Sequence, residues 1–398
     1  MRSLPFLLLL AACTDRGTLL NDTDADTEAR DPVSSVTFDP MVSAELESTD
    51  ASWAVGDLDG DGAEDLVLVA PDGRIRWIRG GDPSDLREET LLTADQARRS
   101  FAAQLRLSTE DITRVSVTWN QVADLDADGL DDVLQTVQIA TDNEAFELTG
   151  VVYAPTVLPG WRTLIDADGP VRCDLVSDLD GDGQPELTAF GATSAVYTSG
   201  GEVWPLEGDL EWIWYANAGV LDTDEGPLLT VMINGGFGIG SMETYRLGAD
   251  GLVRQEQVVE GLYASEAHFE GDPDRLSHSA LLSDGQRVQR FDADGLHDEL
   301  VSEDWLGRVS FGDFDGDGDL DLLSSDYESR QSTVFASAPA GPLSAIPTYV
   351  PEESLDSDVR AIDFDGDGLD DLIGRLWVEG EDGPRLALWL NRGDDGAR

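Results

Sequence analysis

The sequence contains no lysine: all 25 basic residues among its 398 are arginine, against 81 acidic residues. Schiff-base and lysine-nucleophile chemistry are therefore excluded. The formal net charge of −56 repels phosphate backbones, so nucleic acid is a poor partner and none is expected, and divalent cations or basic partners suit the chain better. Adaptation to a saline habitat would leave the same acidic balance. Histidine is scarce as well. His268, His278 and His297 are the three present, and none stands beside a serine or cysteine in a recognisable catalytic motif. Cysteine occurs twice, at Cys13 and Cys173. Cys173 lies in the strand-like run "GPVRCDLV" and reads as a buried thiol.

Long hydrophobic runs are missing too. The one early candidate, Phe6 to Ala12, is too short to span a bilayer. With Arg2 before it and small residues after, it has the form of a secretory signal. Leu10-Ala11-Ala12-Cys13 resembles the bacterial lipobox. That resemblance implies cleavage after residue 12 and lipid attachment at Cys13, which leaves no internal disulfide. Thr14 follows where an aspartate would resemble the inner-membrane retention signal, so the expected address is the outer membrane or cell surface. Residues 13–32 are polar and acidic with no aromatics, the composition of a disordered tether. "DTDAD" inside the tether lacks a glycine turn and flanking strands, and reads as solvated linker. The expected folded unit is 33–398.

What is abundant is a repeated acidic turn. Asp57 begins "DLDGDGAEDLVLV", Asp124 "DLDADGLDDVL", Asp178 "DLDGDGQPELT", Asp313 "DFDGDGDLDLL" and Asp363 "DFDGDGLDDLI". The gap between Asp178 and Asp313 admits two decayed copies, "VLDTDEGPLL" from Val220 and "HFEGDPDRL" from His268. The first keeps Asp222 and Asp224, the second Glu270 and Asp272. The seven units then follow one another at intervals of 67, 54, 42, 48, 45 and 50 residues, the mark of a repeat architecture. Three further Ala-Asp-Gly stretches, at 165–170, 246–253 and 290–300, fall outside the register and read as hairpin or strand-end turns.

Carboxylates at positions 1, 3 and 5 converge on one point if the loop curls, and glycine at position 6 permits the sharp turn. The carbonyl of position 7 and the carboxylate of position 9 then close an all-oxygen sphere, chemistry suited to Ca²⁺. An EF-hand would need glutamate at position 12 and flanking helices. Position 12 here is Leu68, Gln135, Ala189, Ser324 and Gly374, and the flanks are β-rich runs. The loop therefore joins two strands.

A D-x-D-x-D-G-x-x-D loop between strands, repeated at this period, resembles the FG-GAP/VCBS repeats of integrin α subunits and many bacterial surface proteins. The resemblance implies an all-β, seven-bladed β-propeller with a Ca²⁺ loop between the first and second strands of each blade. Carried over by residue, the first loop uses Asp57, Asp59, Asp61, the Ala63 carbonyl and Asp65. The second uses Asp124, Asp126, Asp128, the Leu130 carbonyl and Asp132. The third uses Asp178, Asp180, Asp182, the Gln184 carbonyl and Glu186, whose longer side chain departs from the pattern. The sixth uses Asp313, Asp315, Asp317, the Asp319 carbonyl and Asp321, and the seventh Asp363, Asp365, Asp367, the Leu369 carbonyl and Asp371. Units four and five are expected to hold no tight ion.

In blade one, strands are expected near Ser52–Gly56, Leu66–Ala70 and Arg74–Arg79, with a fourth before Ala94. Blade seven lacks chain for a fourth strand, and "VSSVTFDP" (33–40) is expected to close the ring. Trp212 and Trp214 share one strand face and read as packing between blades. The rim opposite the acidic loops is expected to vary between blades, at 71–73, 140–150, 234–241 and 325–332. Phe237 and Ile239, at the tip of the glycine-rich stretch, are the candidate partner contacts. The reading is a lipid-anchored surface protein whose propeller binds a protein or glycan. A structural envelope scaffold and a carbohydrate-active enzyme are the alternatives.

Overall fold

The computed structural model describes residues 36–39, 42–45, 52–126, 128–152, 162–165, 171–180, 185–191, 194–198, 202–206, 215–221, 223, 225–234, 240–248, 251–262, 266–269, 280–283, 287–292, 295–301, 306, 308–317, 320–326, 331–338, 341–346, 348–349, 359–376 and 385–393. The proposed signal and tether, with Cys13, lie outside them.

Seven four-stranded antiparallel sheets follow one another along the described chain. Blade one is Ser52–Gly56, Asp65–Val69, Ile75–Ile78 and Glu89–Leu92. The inner two strands of blades two to six are Arg114–Ala123 and Asp132–Ala140, Val171–Ser177 and Glu186–Gly191, Tyr215–Leu221 and Leu228–Asn234, Glu266–Phe269 and Ala280–Ser283, and Arg308–Gly312 and Asp321–Asp326. Blade seven has Arg360–Ile362, Asp371–Leu376 and Arg385–Trp389. The molecule is a seven-bladed β-propeller.

The second strand of blade one shows why these runs stack as blades. All five residues of Asp65–Val69 are buried. Successive side chains point to opposite faces of a strand. Val67 and Val69 pack into a cluster with Val122, Val133 and Val137 of blade two. Leu66 and Leu68 pack with Ile362, Phe364, Leu386 and Leu388 of blade seven. A sheet covered on both faces reads as a near-continuous apolar run, which is the sequence seen here. Similar clusters join the remaining neighbours, for example Leu134 and Val151 with Leu187 and Ala189 between blades two and three, and Leu281 and Val288 with Phe311 and Leu322 between blades five and six.

Ring closure differs from the expectation. The fourth strand of blade seven is Val42–Glu45, paired antiparallel with Arg385–Trp389, and not the 33–40 stretch. Pro40 has no N–H to give a ladder. Val36–Thr37 instead pairs parallel with Thr348–Tyr349, and Phe38 bridges Asn391. Val36 and Phe38 thereby fill the core between blades six and seven, beside Phe314 and Trp389.

A helix, Ala94–Leu105, enlarges the first unit and accounts for the long interval between the first two loops. Thr93 and Gln96 form a capping box, and Arg106 ends the helix in the left-handed region (φ 56°). Ala97, Phe101 and Ala102 are buried in the core between blades one and two. Phe101 also covers the 71–73 turn: a Cβ on Gly73 would lie 3.1 Å from its ring. The helix therefore sits on the rim opposite the acidic loops.

Candidate metal centres

Each intact acidic loop joins the first strand of its blade to the second. The stretches at 246–253 and 290–300 are hairpins, with Gly248 opposite Gly251 and Asp292 opposite Gly295. The 165–170 stretch leads from Arg162–Ile165 to Val171, and residues 166–170 lie outside the described ones.

Position 1 organises the loop. Asp57 accepts the N–H groups of Gly60 (2.7 Å), Asp61 (3.2 Å) and Gly62 (3.0 Å). Asp363 accepts those of Asp367 and Gly368, each at 3.0 Å. The chain can wrap this tightly because Gly60 and Gly62 take φ of 74° and 88°, and Gly366 and Gly368 70° and 82°, values open to glycine at little cost. Position 2 is the apolar anchor: Leu58, Leu179, Phe314 and Phe364 are buried.

Five groups of three carboxylates have one oxygen from each residue within 4.8 Å of the others. They are Asp57, Asp59 and Asp61; Asp124, Asp126 and Asp132; Asp178, Asp180 and Glu186; Asp313, Asp315 and Asp321; and Asp363, Asp365 and Asp367. Position 9 joins the group in loops two, three and six. Position 9 accepts the position 2 N–H in all five loops, and in loops one and seven its second oxygen also takes a backbone N–H. Asp65 accepts from Leu58 N–H (2.9 Å) and Gly80 N–H (2.8 Å). Asp371 accepts from Phe364 N–H (3.2 Å) and Asn391 N–H (2.7 Å). Asp128 accepts the Leu130 N–H at 3.0 Å, and Asp317 donates its own N–H to Asp315 at 3.2 Å. The same position 7 to position 5 bond joins Ala63 to Asp61 (2.9 Å) and Leu369 to Asp367 (3.1 Å). Asp182, Gln184 and Asp319 lie outside the described residues.

The bare loops are electrostatically unfavourable. Burial, with the charges of Asp317 and Asp313 added, pushes the Asp315 carboxyl up to about 7. Burial raises Asp65 to about 7 and Asp371 to about 8 against their hydrogen bonds, with neighbouring loop carboxylates adding to the rise. Asp59, Asp126 and Asp363 are raised by burial first and by loop neighbours second. A cation at the convergence point removes this penalty. Oδ1 of Asp59 and Oδ1 of Asp365 are buried and accept no hydrogen bond from any described residue. Oxygens left open inside a cluster of like charge fit a metal ion, and these acidic groups are close enough together to bind one.

A family model for the FG-GAP-like repeat matches residues 313–374, the stretch holding loops six and seven. The chain is a seven-bladed β-propeller that carries an FG-GAP-like repeat at residues 313–374. No curated protein matches the sequence. Among solved structures it is similar to BBS1N, crystallised in complex with ARL6DN and soaked with mercury. The identity is 12%, 89% of this chain and 96% of that one are covered, and the TM-score is 0.45. That likeness is too distant to carry a functional statement.

The propeller also contains loop residues that the motif by itself does not reveal. Arg79 meets Asp59 at 3.1 Å, and Arg392 meets Asp365 at 2.9 Å while also reaching Asp39 at 2.7 Å. Both arginines come from the end of a third strand, where no loop motif points. Position 8 bonds to the neighbouring blade: Asp131 accepts the Asp57 N–H (2.8 Å), Asp370 the Asp313 N–H (2.7 Å) and Glu64 the Asp363 N–H (3.0 Å). The doubled acids "ED" and "DD" before the apolar run were the visible signal.

In unit four the described part of the turn holds an arginine. Arg246 donates to the Gly226 carbonyl (2.9 Å) and to the Thr223 hydroxyl (3.1 Å), and pairs with Glu225 at 3.3 Å. Asp222, Asp224, Glu270 and Asp272 lie outside the described residues, as do Phe237, Ile239, Trp212, Trp214 and His278. Residues 235–239 lie outside the described ones; the strands on either side, Leu228–Asn234 and Gly240–Gly248, pair as the second and third of blade four, with Asn234 and Gly240 at the end away from the acidic loops. Two of the other expected connections shrink. The blade-two turn is only 141–144, because Asp132–Ala140 and Ala145–Val152 pair as a long hairpin. In blade six Asp326 pairs with Gln331.

Proposed function

We propose that this protein is a Ca²⁺-stabilised binding module, carried at the outer membrane or cell surface by a lipid on Cys13, whose propeller captures a protein or glycan. The observation behind the reading is the difference between its two rims. One rim repeats a near-identical carboxylate turn in five blades, and an ion there would stiffen the ring. The opposite rim differs from blade to blade. It carries the helix at Ala94–Leu105 over blade one, a short hairpin turn in blade two and the glycine-rich 235–239 stretch in blade four. Variable loops on a rigid scaffold are where binding is usually found. Calcium is favoured over magnesium because the oxygen set is built from a flexible turn, whereas magnesium demands near-ideal octahedral geometry. Glycoside hydrolysis is carried by a pair of carboxylates, and the gathered carboxylates of the loops are assigned to the ion, so a carbohydrate-active enzyme is the weaker alternative.

Capture from an envelope extract tests the reading. The Phe237→Ala variant should retain less partner than the native protein at a temperature where both are folded, and Asp57→Ala should lose stability while still capturing. Full capture by the Phe237 variant, with capture lost in a folded Asp57 variant, would move the site to the acidic rim. Cys13→Ser should abolish fatty-acid labelling and membrane association, and continued labelling would remove the anchor from the proposal.

A further inference from the structure

The position 8 carboxylates make reciprocal contacts across blade junctions. Asp57 donates its N–H to Asp131 (2.8 Å), and Asp131 returns its own N–H to the Asp57 carbonyl (3.0 Å). Asp313 and Asp370 do the same at 2.7 and 2.8 Å. Asp363 and Glu64 repeat it at 3.0 and 3.1 Å across the join between the last blade and the first. In every case position 8 of one blade grips both backbone groups of position 1 in the blade before it. Two of these junctions carry a further bond to the position 2 carbonyl: Gly81 N–H to Phe364, and the Asn391 amide to Phe314 at 2.8 Å.

The residue before position 1 fits its clamp. A Cβ on Gly56 would overlap the Asp131 carboxylate, and one on Gly312 would overlap that of Asp370. Where the chain has Ile362 instead, the clamp is the longer Glu64. Two other intact loops have no carboxylate at position 8: Pro185 stands there in loop three and Leu320 in loop six. The clamped junctions are therefore consecutive, linking loops six, seven, one and two.

We propose that Asp370, Glu64 and Asp131 are positioning residues that couple cation binding between neighbouring blades, so that loops six, seven, one and two take up Ca²⁺ as a linked set while loop three binds independently. The coupling rests on the metal reading given above. Position 1 is the hub that gathers its own loop's N–H groups, so holding its backbone from the next blade fixes where its carboxylate points. Position 8 stands beside position 9, whose carboxylate joins the oxygen group in loop two and fixes the loop backbone in loops one and seven. An ion ordering one loop thus orders position 1 of the loop before it, and by linkage the effect runs both ways.

Hydrogen–deuterium exchange of the full chain, followed as free Ca²⁺ is raised, reads each loop on its own peptide. In Asp370→Ala the protection midpoint of the 313–321 peptide should move to about tenfold higher Ca²⁺, within the usual range of coupling between sites, although every expected ligand in that loop is intact. Asp370→Asn keeps an oxygen that accepts the Asp313 N–H and should restore the midpoint, whereas Asp370→Leu fills a similar space without an acceptor and should not, a difference that a packing defect would not predict. Asp131→Ala should move the 57–65 peptide in the same way, and the 178–186 peptide should stay unmoved in both. A 313–321 midpoint that is unchanged in Asp370→Ala would overturn the coupling. Wild-type protein whose loops show no Ca²⁺ dependence at all would overturn the metal reading and the coupling together.

Discussion

Loop one and the turn of unit four occupy the same place in their blades and each receive an arginine from a third strand, but they differ in how much acid is left for it to answer. Loop one gathers Asp57, Asp59 and Asp61 around a common point, with Arg79 on one side of Asp59 and an oxygen of Asp59 left open. The unit-four turn takes a guanidinium from its own third strand: Arg246 binds Thr223, Gly226 and Glu225. On the proposed reading the first takes a cation from solution, whereas the described part of the second already holds one attached to the chain. An acidic turn could then decay without losing its shape where a neighbouring strand supplies a positive group and its donors.

Removing metal should break this comparison most sharply. Chelation is expected to lower the melting temperature, with Ca²⁺ restoring it better than Mg²⁺. A site held at a thousandfold excess over its dissociation constant contributes about 4 kcal/mol. Exchange in EDTA should rise at 57–65, 313–321 and 363–371 and change little at 225–228. An unchanged melting curve in protein shown to be metal-free would remove the distinction between the two turns.

Asp315→Ala should come next. With Ca²⁺ present it is expected to cost about 1–3 kcal/mol, the range for removing a charged polar partner. In EDTA the loss should shrink or reverse, because a buried like charge has gone. Paired melting curves with and without calcium decide it. An equal loss in both would make Asp315 a structural residue.

Arg246→Ala sharpens the other side. The guanidinium holds a hydroxyl and a carbonyl, so about 1–2 kcal/mol of stability should be lost. The loss should be the same in calcium and in EDTA, as read by denaturant melts under both conditions. A calcium-dependent loss would mean that unit four also contains an ion.

The smallest effect is expected from pH, since partial exposure and salt screen these charges. Asp315 and Asp65 titrate near 7 and Asp371 near 8 in the folded chain, against an ordinary 3.8. Between 3.8 and these values the metal-free folded state holds protons that the unfolded state has lost. Stability in EDTA should therefore fall as pH rises from 5 to 8. With Ca²⁺ the slope should reverse, because the ion needs ionised carboxylates. Melting temperatures at pH 5 and 8, with and without calcium, test both signs.

The strands of blade one were legible to within a residue at most ends, because an apolar run bounded by glycine and aspartate has few other uses. The acidic turns were legible because the carboxylates that meet in them are local in sequence, positions 1 and 3 in all five, with position 5 in loops one and seven and position 9 in loops two, three and six. The helix at Ala94–Leu105 was missed, although Thr93 and Gln96 carry the capping box. Its buried residues are Ala97, Phe101 and Ala102, with Leu105 partly buried beside them, too short a stripe to stand out among strands. The closing strand was displaced from 33–40 to Val42–Glu45, since Val36 and Phe38 serve a core formed by blades six and seven.

The sequence by itself determined the number of units, the place of each acidic turn and the carboxylates that gather there. All of these depend on residues fewer than ten apart, whose geometry is set by glycine conformation and side-chain reach. Only the tertiary structure decided which arginines enter the turns, where the ring closes and what position 8 holds. Asp363 and Glu64 stand at opposite ends of the chain, and only closure of the ring brings their backbones within hydrogen-bonding distance. A contact of that kind leaves no periodic trace, because its partner is chosen by the packing of blades and not by spacing along the chain.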